Sequence, residues 1–150
     1  MDQVITYMNK QLDLFERDDN TTLLTSSMIN NYVKDGILER PNQKKYSRDH
    51  LAILSIICML KQVLSIPDIA SLLKSTRENT EEKKLLYEGF CSAQNEVLKE
   101  VCSRVDKAAE QGDEELRHLA TMLSIEAAAR RTASERILSE LAFEETKQDK

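Results

Sequence analysis

Between Ser27 and Arg48 the chain gathers a hydroxyl, two amides and five cations: Ser27, Asn30, Asn31 and Lys34, then Arg40, Lys44, Lys45 and Arg48. An asparagine amide carries a donor and an acceptor, the pair that reads an adenine edge or bonds a phosphate oxygen. Lysine and arginine neutralise phosphates and release their counterions. From Asn20 to Lys61 the six basic residues (these five and Lys61) outnumber Asp35, Glu39 and Asp49. The chemistry this set offers is duplex binding. The competing reading of the same residues is an ordinary solvated surface.

No catalytic constellation accompanies it. His50 and His118 stand without a partnered Cys or Asp, and there is no nucleophile elbow, phosphate-binding loop or dinucleotide glycine pattern. Of the three cysteines, Cys58 lies in an apolar run and reads as core. Cys91 and Cys102 are eleven residues apart on nearly one helical face, yet three turns separate them, too far to share a metal within one chain. Only across a dimer would they meet, which leaves redox sensing as a minor reading. No enzyme activity, cofactor or metal is therefore expected.

The elements that hold the polar set follow from spacing. Ile5, Met8, Leu12 and Phe15 make one stripe on a first helix. Thr25-Ser26-Ser27 opens a second helix, Thr25–Asp35, that Gly36 closes in a left-handed conformation. Its inner face is Ile29, Tyr32 and Val33. Ile37-Leu38-Glu39, the turn Pro41-Asn42-Gln43 and Lys44-Lys45-Tyr46 predict a minimal β hairpin, a wing packed by Tyr46. Ser47 caps a third helix that is apolar on most sides and hence central. Ser65 caps a fourth, with Pro67 in its first turn. Ser75–Glu82 reads as a linker. A long helix from Lys83 to Glu110 carries Leu86, Phe90, Ala93, Val97, Val101, Val105 and Ala108 at threes and fours. Gly112 breaks it. A last helix, with Leu116, Leu119, Leu123, Ala127, Ile137 and Leu141, reaches about Leu141, and Glu144–Lys150 is expected to be disordered.

Composition bounds the rest. Three glycines, two prolines and 5% aromatics describe a helical protein with an aliphatic core. The net charge of -5 excludes a global basic field, so duplex contact would need a local patch. The sparse cysteines fit a reducing cytoplasm. No positive region precedes an apolar run at the N-terminus, so a signal peptide is not expected. The run Leu51–Leu60 is too short to span a bilayer, and no membrane association is expected.

Residues 24–73 resemble the MerR-type winged helix-turn-helix. The matching pieces are the Thr/Ser-led helix ending in Tyr32-x-x-x-Gly36-Ile37-Leu38, then Pro41, Lys45-Tyr46-Ser47-x-x-x-Leu51, and Ile66-Pro67-x-Ile69-x-x-Leu72-Leu73. More closely, the segments MDQVITYM, LTSSMINNYVKDGIL, KKYSRDHLAIL and LKQVLSIPDIASLL resemble a bacterial family known only as a domain of unknown function and grouped with MerR-like regulators. One departure is Asn30-Asn31-Tyr32 where MerR proteins carry an Arg-Tyr-Tyr-like trio.

The resulting expectation is an all-α protein with a small β wing. A MerR-like winged helix-turn-helix, 1–74, would be followed by two long C-terminal helices, 83–141, for packing or dimerisation. By the resemblance it would bind double-stranded DNA as a homodimeric transcription regulator, through Ser27, Asn30, Asn31, Lys34, Arg40, Lys44, Lys45 and Arg48. The alternative is a protein-interaction adaptor that keeps the fold without DNA binding. The sequence identifies neither operator nor effector.

Overall fold

A computed structural model describes residues 1–12, 22–43, 45–74 and 79–148. Among them the chain forms α1 (Asp2–Leu12), α2 (Ser26–Lys34), α3 (Arg48–Leu60), α4 (Ile66–Leu72), α5 (Thr80–Gln111) and α6 (Asp113–Gln148). Two compact units result, Met1–Glu88 and Gly89–Lys150, and the boundary falls inside α5.

In the first unit α3 is the central helix, as its composition predicts. Ile53, Leu54, Ile56, Ile57 and Cys58 are all buried on it. Met8 of α1 is buried against α3, its sulfur 3.9 Å from the Ser55 hydroxyl. Leu24, Ile29 and Ile69, from the segment before α2, from α2 and from α4, complete the fully buried set. The helix starts use side-chain oxygens. Thr25 accepts from the Met28 amide at 3.2 Å, and Ser65 accepts from the Asp68 amide at 3.3 Å. Each satisfies an amide that has no partner inside its helix.

The expected β wing is absent among the described residues; the fold is helical. Its first strand fails because Ile37 and Leu38 are both buried, at 5% and 3% exposure, whereas consecutive strand residues face opposite ways. Their amides also point elsewhere, both donating to the Tyr32 carbonyl at 2.9 and 3.0 Å. Gly36, with φ of +69°, makes that turn possible. The pair thus closes α2 instead of opening a ladder. What remains of the hairpin is a single bridge between Asn42 and Lys45, with Gln43 held at φ +48°.

Other boundaries differ from expectation. α1 ends at Leu12, and the residues expected to continue it to Phe15 lie outside the described residues. α5 starts at Thr80, inside the expected linker, where Asn79 Oδ1 accepts from the Glu81 amide at 3.0 Å. α6 continues through the tail expected to be disordered, as far as Gln148, and the Lys147 ammonium sits 4.3 Å from the centre of the Phe143 ring.

In the second unit Arg104 and Glu126 form two hydrogen bonds, of 3.0 and 2.7 Å, although they are 22 residues apart. In one unbroken helix that separation would be about 33 Å. The chain therefore reverses at Gly112, whose φ is +109°. The Glu126 hydrogen bond raises the Arg104 pKa, and the same bond lowers that of Glu126. Ala108 and Leu138 are buried, and Phe90, Val101, Leu116, Leu119 and Leu123 are half-buried. Other residues of the expected stripes are exposed: Ala93, Val97 and Val105 on α5, Ala127, Ile137 and Leu141 on α6. No described helix is long and apolar enough to cross a membrane.

Candidate nucleic-acid interface

α2 is fixed to the core by Ile29 and Tyr32, at 0% and 5% exposure. Burial, and to a lesser extent the negative charge of an ionised Cys58, pushes the Tyr32 phenol up to about 12. The opposite face then has to be outward. Ser27, Asn30, Asn31 and Lys34 are all exposed, within roughly 100° of helical arc. Their side chains form no hydrogen bond or ion pair with any described residue.

The cations beyond α2 are placed by the turn and by α3. Arg40 follows the buried Ile37-Leu38 pair and is exposed. Lys45 is exposed at the Asn42–Lys45 bridge. Lys44 lies outside the described residues. Arg48 is the first residue of α3 and is exposed. A cation there opposes the helix dipole, which favours anions at that end. Arg40, Lys45 and Arg48 form no ion pair with a described residue. Glu39, the acid nearest Arg40 in sequence, is bonded instead to the Lys83 ammonium of α5.

A cavity of about 340 Å³ lies between the end of α2 and the start of α3. Of the candidate cations, Arg40 borders it, together with Val33 and Asp49. The Arg48 side chain borders a second hollow, with Tyr7 of α1 and Lys84 and Tyr87 of α5. The structure thus brings Ser27, Asn30, Asn31 and Lys34 onto one face, and leaves Arg40, Lys45 and Arg48 exposed along the segment that follows it in the chain. Lys61 does not join them, because its ammonium donates to the Leu23 carbonyl.

Tyr46 is half-buried and meets the His50 ring edge-on, with centroids 5.6 Å apart and planes at 80°. Burial raises its pKa. It packs against the first turn of α3, with no wing hairpin among the described residues to anchor. Cys58 is fully buried, and burial pushes its thiol up to about 11 despite the lowering effect of Lys61. Among the described residues no three His, Cys, Asp or Glu side chains are grouped to hold a metal.

Sequence reasoning missed two groups. His50 is buried and completes a capping box with Ser47: the Ser47 amide donates to His50 Nδ1 at 3.0 Å, and Ser47 Oγ accepts from the His50 amide. The Ser-x-x-His spacing was the available signal, with His in the place Glu or Gln commonly takes. The pairing of Lys83 with Glu39, 44 residues apart, has no local signal.

A family model described as a domain of unknown function, DUF1836, matches residues 1–92. No curated protein and no solved structure matches the chain.

Proposed function

The chain belongs to the DUF1836 family, a domain of unknown function, and from that premise we propose that its first unit binds double-stranded DNA as a transcription regulator. α2 enters the major groove. Ser27, Asn30 and Asn31 meet base edges, and Lys34, Arg40, Lys45 and Arg48 hold phosphates, with Lys44 beside them in sequence. The observation that carries the reading is the outward face of α2, whose hydrogen-bonding side chains have no partner among the described residues. The order α2, basic segment, α3, α4 resembles MerR-type regulators, here with an irregular turn segment in place of a β wing.

The second unit supports a twofold arrangement. Val97, Val105, Met122, Ile125, Ile137, Leu141 and Phe143 are exposed on α5 and α6. We propose that these helices pair two copies, as symmetric DNA regulators require.

The test is selection of duplexes from a random library, followed by gel shifts. The expected result is an enriched sequence bound at about 50 mM salt, where phosphate contacts are strongest. Asn31→Ala should relax the sequence preference. Lys45→Ala should weaken every duplex alike and lower the log–log salt slope by about 1. No duplex binding by the folded protein at that salt overturns the proposal and favours an adaptor.

A further inference from the structure

We propose that the cavity between the end of α2 and the start of α3 binds a small aliphatic monocarboxylate. The cavity holds about 340 Å³, at the small end of ligand sites, which run from roughly 300 to 1,000 Å³. Ile37, Leu38, Ile53 and Leu73 give it an apolar lining for a hydrocarbon body.

Its polar groups select the head. The Lys83 side chain is only 7% exposed and borders the cavity. An ammonium has three hydrogens to donate, yet among the described residues Lys83 bonds only to Glu39. His50 borders the cavity too, at 9% exposure. Its Nδ1 accepts from the Ser47 amide, so the neutral ring carries its proton on Nε2. That Nε2 is buried and has no partner among the described residues. A buried donor without a partner is unfavourable, so a ligand oxygen that reached it would be favoured.

The charges around the cavity favour a monoanion. Lys83 and Arg40 oppose Glu39 and Asp49 on its wall. Glu39 is the solvent-facing member, with its side chain 55% exposed. A ligand carboxylate that takes its place on Lys83 frees Glu39 to solvent and leaves one positive charge for one negative. Asp49 remains and disfavours a dianion such as a phosphate monoester. In this view the Glu39 carboxylate occupies the head-group position in the empty protein. The proposal stands apart from DNA binding, since it concerns the protein alone.

The experiment is calorimetry and saturation-transfer NMR on the full chain with octanoate, octan-1-ol and octylamine. Octanoate should bind, and the alcohol and amine should be weaker by about tenfold or more, the share of a charge-assisted hydrogen bond. Lys83→Met should lose octanoate binding while circular dichroism shows the helices intact. Glu39→Gln removes the competing carboxylate and should tighten octanoate by several-fold. Equal binding of acid and alcohol, or unchanged or weaker octanoate binding in Glu39→Gln, would overturn the assignment. So would no octanoate binding to either the parent or the Glu39→Gln protein. Glu39 is exposed, so this arm does not depend on Lys83→Met folding.

Discussion

Cys58 shows how far one side chain can set the response to pH. Its thiol ordinarily ionises near 9.0, and burial on α3 pushes that up to about 11. Above pH 9 the unfolded chain has lost this proton while the folded chain keeps it. The unfolded state then binds fewer protons, so stability declines as pH rises and the contribution is gone by about 11. The loss is on the order of 2–3 kcal/mol. Tyr32, pushed up to about 12, extends the decline in the same direction. Urea titrations at a series of alkaline pH values should show this limb, and Cys58→Ala should flatten it. A thiol reagent should modify exposed Cys102 in the native protein and reach Cys58 only on unfolding. Equal native rates at the two positions would contradict the burial.

At the level of elements, α2 depends on its first turn as much as on its buried face. Thr25→Ala leaves the Met28 amide unmatched and should destabilise the first unit by about 1 kcal/mol, read as a shift in the urea midpoint. Ile57→Ala, at a position with no exposure, should cost about 2–5 kcal/mol through the cavity it leaves. Both helices were legible in the sequence because burial repeats with the helical period and Ser or Thr marks each start. The region between them was not. Two adjacent apolar residues such as Ile37 and Leu38 suit a strand, but they equally suit a helix-closing turn that buries both. Gly36, read correctly as a helix end, already favoured the turn. The end of α6 was missed because the stripe stops near Leu141 while the polar residues beyond it remain helical. As for the candidate interface, the outward residues of α2 could be assigned from helical arc alone. The withdrawal of Lys61 and the commitment of Glu39 to Lys83 could not, since both depend on partners distant in the chain.

At the level of the whole molecule, the exposed apolar residues of α5 and α6 are where assembly should register. Light scattering should give twice the chain mass if the proposed pairing holds. Ile125→Glu with Ile137→Glu should return it to one chain, because both positions are more than half exposed, 57% and 61%, and the core is untouched. A single-chain mass for the parent protein would end the pairing proposal. Gly112 adds a consequence of its own. A β-carbon there would meet nothing within 4 Å, so only the +109° backbone angle resists a side chain. Gly112→Ala therefore pushes the junction towards ordinary helical angles without a clash. α5 and α6 would then tend to fuse into one rod of about 100 Å. Two such rods, laid antiparallel, can exchange arms, each α6 taking the place of its counterpart beside the other chain's α5. A single glycine thus decides between folding back and swapping, and small-angle scattering of the alanine variant would show the change as a lengthened maximum dimension.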